Sequence, residues 1–209
     1  MELRRLPRLL PAGEEAIKEA SRIVRAGGLI IYPTDTVYGL GCDPLNPRAV
    51  ERVFRVKGRR GKPLPILVSS MGQAKRIAQF TPKAEKLAKA FWPGALTLVL
   101  RRRPTLPEIT TCGLNSVGVR APGHSFCLRL IEACGGLLVG TSANKSGETP
   151  PRTAEEADLQ IGAGVDLIID GGPTPGGVPS TVVDLTGEEP RLIRQGPVKF
   201  EEVVRVLHT

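Results

Sequence analysis

A single α/β domain built on a mixed sheet is the fold class the sequence predicts, and three observations predict it. Apolar runs of strand length recur along the chain, at 29–31, 64–68, 95–100, 117–120, 137–141 and 165–170. Stretches with apolar residues at helical spacing lie between most of them, bounded by capping residues, proline or glycine. The alternation is not clean, since two further runs, 180–185 and 191–194, follow one another near the end. About seven strands with six or seven helices in that order fit a twisted sheet of parallel and antiparallel strands better than a purely parallel doubly wound one. Neither a linker-like break in composition nor an internal repeat divides the chain. Residues 1–13 read as an N-terminal extension and 14–209 as the domain.

Each element has its own signal. Ala16, Ile17, Ala20, Ile23 and Val24 mark one face of a helix over 14–26, which Gly27 stops. Leu29, Ile30 and Ile31 form a buried strand ended by Pro33, which has no N–H to continue an interior ladder. Asn46 and Pro47 open a second helix, with Ala49, Val50, Val53 and Phe54 inward, that runs out at Lys57 and Gly58. The basic loop KGRRGKP (57–63) leads into the strand near 64–68. Ser70 caps a short helix through Ile77, and Thr81 with Pro82 opens another, carrying Ala84, Leu87, Ala88 and Phe91 inward. Trp92, Pro93 and Gly94 turn that helix into the strand 95–100. Residues 101–115, rich in arginine, proline and threonine, read as an exposed, mobile loop. The strand 117–120 closes at Ala121 and Pro122, and a helix over 125–134 precedes the strand 137–141. Thr153 with Glu156 is a capping box. The strand 165–170 stops at Gly171, and after 180–185 and 191–194 a helix over 199–207 ends the chain.

Composition narrows the function classes. The chain has 209 residues, of which 41% are hydrophobic, enough for a sizeable core. Aromatic residues make up only 4%, which argues against a base-stacking platform. The formal charge of +8 suits an anionic partner such as a nucleotide or nucleic acid, or simply a soluble basic surface. The four cysteines include no C-x-x-C pair and only two histidines could join them, so a structural zinc site is not expected. Scattered cysteines with no secretory signal read as the reduced thiols of a cytoplasmic protein, and no stretch is long enough to span a bilayer.

The stretch 27–43, GGLIIYPTDTVYGLGCD, is where chemistry is first expected. An apolar strand ends there in Thr34, Asp35 and Thr36, and strand ends are where open α/β sheets bind ligands. An ordinary strand-to-loop exit would use the same residue types. A second exit, GTSANKSG (140–147), repeats the logic. Neither G-x-x-x-x-G-K-[ST] nor G-x-G-x-x-G opening a helix is present. Of the two histidines, His208 is nearly terminal and His124 is placed to cap a helix. What remains is a series of hydroxyls, amides and cations at strand ends: Thr34 and Thr36, Lys57 with Arg59 and Arg60, Ser116 with Arg120, Ser142 with Asn144, Ser180 with Thr181, and Arg194. Each alone could be a turn residue or a solvated charge. Together, cations and oriented donors without a nucleophile suit transfer at phosphorus, where positioning and charge stabilisation do most of the catalysis.

The motifs PTDTVYGLG (33–41), KGR (57–59), WPGALTLVL (92–100), VGVRAPGH (117–124), TSANKSG (141–147) and STVVDLTG (180–187) together resemble the YrdC-type family of threonylcarbamoyl-AMP synthases. The resemblance covers about residues 14–207. It implies a YrdC-like fold with a large basic concave cavity, and the reaction of L-threonine, bicarbonate or CO2, and ATP to threonylcarbamoyl-AMP and pyrophosphate. That product feeds N6-threonylcarbamoyladenosine formation in tRNA. By the same resemblance Thr34, Arg120, Thr141, Ser142 and Ser180 would contact threonine. Lys57, Arg59, Arg60, Ser116, Asn144 and Arg194 would contact ATP, with Lys57 and Arg59 as the catalytic cations. Magnesium would come with ATP, and no protein side chain is assigned to a metal. The expected partners are the substrates, downstream threonylcarbamoyl-transfer proteins, and tRNA or double-stranded RNA. Where the family often has a histidine near the threonine pocket, Ser69 and Ser70 stand here. Two other readings are carried forward: an RNA-binding module without chemistry, and a carbamoyl-transfer domain of the hydrogenase-maturation type.

Overall fold

A computed structural model describes residues 7–58 and 61–208 of the chain, so Arg59 and Arg60 lie outside the described residues. The expected mixture of parallel and antiparallel strands is present, divided between two sheets. The first sheet has the order β1-β9-β2-β3-β8, with β1 at Arg8–Pro11, β2 at Ile30–Tyr32, β3 at Gly39–Gly41, β8 at Thr141–Ser142 and β9 at Leu167–Asp170. The second has the order β11-β10-β5-β6-β4-β7, with β4 at Ile66–Val68, β5 at Leu96–Arg101, β6 at Ser116–Arg120, β7 at Leu137–Val139, β10 at Thr181–Asp184 and β11 at Arg191–Arg194. The chain passes between the sheets three times, from β3 to β4, from β7 through Gly140 alone into β8, and from β9 to β10.

The helices are α1 (Glu14–Arg25), α2 (Pro47–Lys57), α3 (Met71–Ile77), α4 (Pro82–Phe91), α5 (Glu108–Thr111), α6 (Ser125–Ala133), α7 (Ala154–Ile161) and α8 (Phe200–His208). Caps fall where the sequence places them. Asn46, Ser70 and Thr81 accept from the first turns of α2, α3 and α4, and Thr153 with Glu156 forms the reciprocal box at α7. His124 caps α6, its Nδ1 accepting from the Cys127 N–H at 3.2 Å.

Two apolar clusters lie on opposite faces of shared strands. Leu29, Ile31, Ile66, Val68, Val139 and Ile168 face the larger one, with α2, α4 and α7. Ile30, Tyr32, Leu67, Leu138, Leu167 and Ile169 face the smaller one, with α1 and α6. Successive side chains of a strand point to opposite faces. Strands covered on both faces are therefore apolar throughout, which is why they read as continuous runs.

Three local expectations are corrected. The segment set apart as an extension contains β1, which pairs in parallel with β9 from Arg8↔Leu167 to Pro11↔Asp170. As an edge strand it tolerates the proline that hid it. Residues 39–41 read as loop but form β3, antiparallel to β2. A Cβ at Gly39 would stand 2.9 Å from the Tyr32 ring, and one at Gly41 2.7 Å from it, so glycines replace the apolar alternation that marks a strand. Residues 101–115 are largely exposed, as expected, but they are not a plain loop: they contain α5 and anchor themselves to the core. Leu106, Thr110 and Thr111 are buried, and Arg102 donates to the carbonyls of Leu106 and Leu114 and to Glu108.

Candidate functional site

The β2–β3 connection, residues 33–38, is a hairpin turn with its own hydrogen bonds. The Thr34 hydroxyl donates to the Val37 carbonyl at 2.7 Å and accepts from the Thr36 N–H at 3.1 Å. It also lies 3.1 Å from the Thr36 hydroxyl. A threonine side chain that closes a turn on its own backbone in this way fixes the turn locally. From the far end of β6 the Arg120 guanidinium reaches this turn. Its NH1 donates to Asp35 Oδ1 at 2.9 Å and, at the 3.5 Å limit, to the Gly94 carbonyl, while its NH2 lies 3.4 Å from the Thr36 hydroxyl. The Asp35–Arg120 ion pair is nearly buried, the two side chains being 13% and 6% exposed.

Ser180 and Arg194 stand beside this group. Arg194, at the end of β11, donates through Nε and NH2 to the Ser180 carbonyl at 3.0 and 2.8 Å, and NH2 lies 3.3 Å from the Ser180 hydroxyl. That hydroxyl also sits 2.8 Å from the Thr97 hydroxyl. Desolvation, and then the positive charge of Arg120, hold the Arg194 pKa below the ordinary arginine value. The two guanidiniums therefore feel one another across the space between the turn and β10.

A second group gathers at β8. Lys57, the last residue of α2, is buried, and its Nζ donates to the carbonyls of Ser142 at 2.5 Å and Asn144 at 2.9 Å. The Asn144 amide donates to the carbonyls of Lys145 and Glu148, both at 2.8 Å, which fixes its orientation. Its Oδ1 is buried with no hydrogen-bond partner. Thr141 and Ser142 pair across β8 with Leu40 and Gly39, so this group flanks the same hairpin that carries Thr34.

The structure thus joins Thr34, Arg120, Ser180 and Arg194 in one group and Lys57, Thr141, Ser142 and Asn144 in another, with the β2–β3 hairpin between them. Ser116 is not in either group. It opens β6, opposite Arg101, about 13 Å along the strand from Arg120. Ser70 caps α3, and the Ser69 hydroxyl is buried without a partner. Sequence reading missed Asp35 and Thr97 as members of the first group. Asp35 stands in full view between two threonines, but its partner is 85 residues away and no spacing rule links them. Two recesses of about 390 Å³ each, one at Arg102, Leu106 and Asn115 and one at Phe54, Ile109 and Cys112, lie outside both groups. Among the described residues no set of three or more His, Cys, Asp or Glu side chains could hold a metal ion. No helix among them is long and apolar enough to cross a membrane.

Comparison with known proteins adds three findings. A model of the Sua5, YciO and YrdC proteins, described as "Telomere recombination", matches residues 22–196. A threonylcarbamoyl-AMP synthase of Pyrococcus abyssi is 43% identical over 93% of this chain and 58% of its own length, and one of Bacillus subtilis is 36% identical over 95% and 58%. The crystal structure of P. abyssi Sua5 complexed with L-threonine superposes with a TM-score of 0.90 at 41% identity, covering 96% of this chain and 60% of that one. The chain therefore spans about three fifths of the length of these relatives.

Proposed function

Because the chain belongs to the Sua5/YciO/YrdC family, we propose that it makes threonylcarbamoyl-AMP and pyrophosphate from L-threonine, bicarbonate or CO2, and ATP. The observation that carries this reading is the nearly buried Arg120 guanidinium at the hairpin turn, beside Arg194 and Ser180, in a chain so similar to a Sua5 that holds L-threonine. A planar two-pronged donor suits an α-carboxylate. In this reading Arg120 takes the threonine carboxylate, and Thr34, Thr141, Ser142 and Ser180 surround its amine and hydroxyl. Thr34 has committed its proton to Val37, so it meets threonine as an acceptor. Lys57, Arg59, Arg60, Asn144 and Arg194 serve ATP, while Ser116, at the other end of β6, is left out of the set. Asn144, its amide spent on two carbonyls, offers an acceptor oxygen to a donor group of the nucleotide.

The threonine amine adds to CO2 and loses a proton, giving a carbamate. A carbamate oxygen then attacks the α-phosphorus, the bond to the bridging oxygen breaks, and pyrophosphate leaves. The protein needs no covalent intermediate. Its part is to hold a weak nucleophile in line and to place cations where charge develops, and positioning can remove several kcal/mol, roughly 7–11 at best, from such a barrier. Magnesium enters as the MgATP substrate and neutralises phosphate charge. The product is a mixed anhydride, activated for transfer of the threonylcarbamoyl group to a nucleophile, and in this reading the acceptor is tRNA.

The test is pyrophosphate release from ATP, with L-threonine plus bicarbonate, L-serine plus bicarbonate, or carbamoyl phosphate supplied in turn. Release that requires both threonine and bicarbonate is the expected result. Release with carbamoyl phosphate alone would favour the hydrogenase-maturation type of transfer. No release, together with RNA affinity that falls steeply with salt, would favour the RNA-binding module.

A further inference from the structure

We propose that Asp35 is a positioning residue: it holds the Arg120 guanidinium in the one orientation that receives the α-carboxylate of the amino-acid substrate. This rests on the threonine-using reading above. The 2.9 Å bond from Arg120 NH1 to Asp35 Oδ1 is the only short one the arginine makes among the described residues, its contacts to Gly94 and Thr36 being 3.5 and 3.4 Å. Burying an ion pair brings little net stability, because desolvation offsets the attraction. A nearly buried pair at a candidate site therefore calls for a role other than holding the fold.

The surroundings immobilise Asp35 rather than Arg120 alone. A Cβ on Gly123 would stand 3.3 Å from Asp35 Oδ2 and 3.3 Å from the Gly94 Cα. One on Gly176 would stand 2.7 Å from the Asp35 carbonyl, and the Gly177 N–H donates to the Thr36 carbonyl at 2.7 Å. Two loops, around residues 123 and 176, thus lie against the carboxylate and its backbone, and Gly94 backs the first of them. Asp35 occupies only one arm of the fork: NH1 bonds it at 2.9 Å, while NH2, with no hydrogen bond among the described residues shorter than that to the Thr36 hydroxyl at 3.4 Å, is left to receive the substrate carboxylate.

The experiment compares wild type, Asp35→Asn, Gly123→Ala, Arg120→Lys and the double variant Asp35→Asn/Arg120→Lys, measuring affinity for L-threonine and for L-threoninol, which lacks the carboxylate, by calorimetry. Steady-state pyrophosphate release is measured alongside. Asp35→Asn is expected to weaken threonine binding about tenfold, to raise KM far more than it lowers kcat, and to narrow the preference for threonine over threoninol. Gly123→Ala, which crowds Asp35 without changing its charge, should give a smaller loss of the same kind. The Asp35 and Arg120 effects should be non-additive. Unchanged threonine affinity in both Asp35→Asn and Gly123→Ala overturns the proposal. So does tighter binding by Asp35→Asn, because a carboxylate that only diluted positive charge would give that sign. Should Asp35→Asn fail to fold, Gly123→Ala decides alone: a retained threonine-over-threoninol preference overturns the proposal. Wild type that binds no threonine removes the reading of function itself, and is told apart from the other failures because it needs no variant.

Discussion

Single side chains in this protein carry more than one task, and their substitutions should show it. By the family resemblance Lys57 is a catalytic cation that contacts ATP. In the structure its ammonium also braces the Ser142 and Asn144 carbonyls from a buried position. Lys57→Ala is therefore expected to abolish pyrophosphate release and to cost about 2–4 kcal/mol of stability, because buried carbonyls lose a charged donor. Thermal unfolding measured beside turnover separates the two losses. Full stability with no turnover would show that the brace contributes nothing. Arg120→Lys keeps the charge but not the fork, so KM for threonine should rise about tenfold or more with smaller change in KM for ATP. An equal rise in both would place Arg120 elsewhere in the reaction.

At the scale of elements, the β2–β3 hairpin and the start of α6 are the testable pieces. Gly41 lies against both the Tyr32 ring and the Val139 carbonyl, where a Cβ would stand 2.7 and 2.9 Å away. Gly41→Ala should destabilise the chain by about 1–3 kcal/mol through overpacking, seen as a lower urea midpoint. His124 caps α6 through an unprotonated Nδ1, and burial, partly offset by the Asp35 charge, lowers its pKa from the ordinary histidine value. The folded state thus prefers neutral histidine. Its contribution is whole above the ordinary pKa of about 6.5 and is lost as pH falls below that value. The melting temperature should drop between pH 7.5 and 5.5, and Asn at position 124, which caps without titrating, should flatten that drop. The elements legible in the sequence were those whose signals are local. Asn46 with Pro47, Thr81 with Pro82, and Thr153 with Glu156 mark helix starts through bonds that span three residues. β1 and β3 escaped because a proline and two glycines stand where apolar alternation would have announced them, and only the edge position and the Tyr32 ring explain those residues.

For the molecule as a whole, the decisive feature is that two apolar clusters share their strands. Ile31 faces one cluster and Ile30 the other, and β4, β7 and β9 are divided in the same way. Neither side can lose its packing without exposing the other, so unfolding should be one cooperative transition. Trp92, the only tryptophan, packs against the larger cluster, and its fluorescence should report the same denaturation midpoint as far-UV circular dichroism. Separate midpoints would mean that the α1 and α6 side unfolds by itself. The crossing at Gly140, the shortest of three, supports the same view: a Cβ there would stand 2.4 Å from the Leu67 side chain, so this passage between the sheets is closely packed.

By itself, the order of residues determined the class of fold, most helices with their caps, and the set of polar residues at strand ends, because each depends on interactions within a few positions along the chain. Its motifs also carried the family. Tertiary structure alone decided that there are two sheets, that Leu106, Thr110 and Thr111 anchor the 101–115 segment, and that Asp35 is the partner of Arg120. Those facts rest on groups brought together across 85 residues in one case and by the closing of a hairpin over a tyrosine ring in another. Local propensity and spacing say nothing about such distances; only the packing that brings the two sheets together sets them.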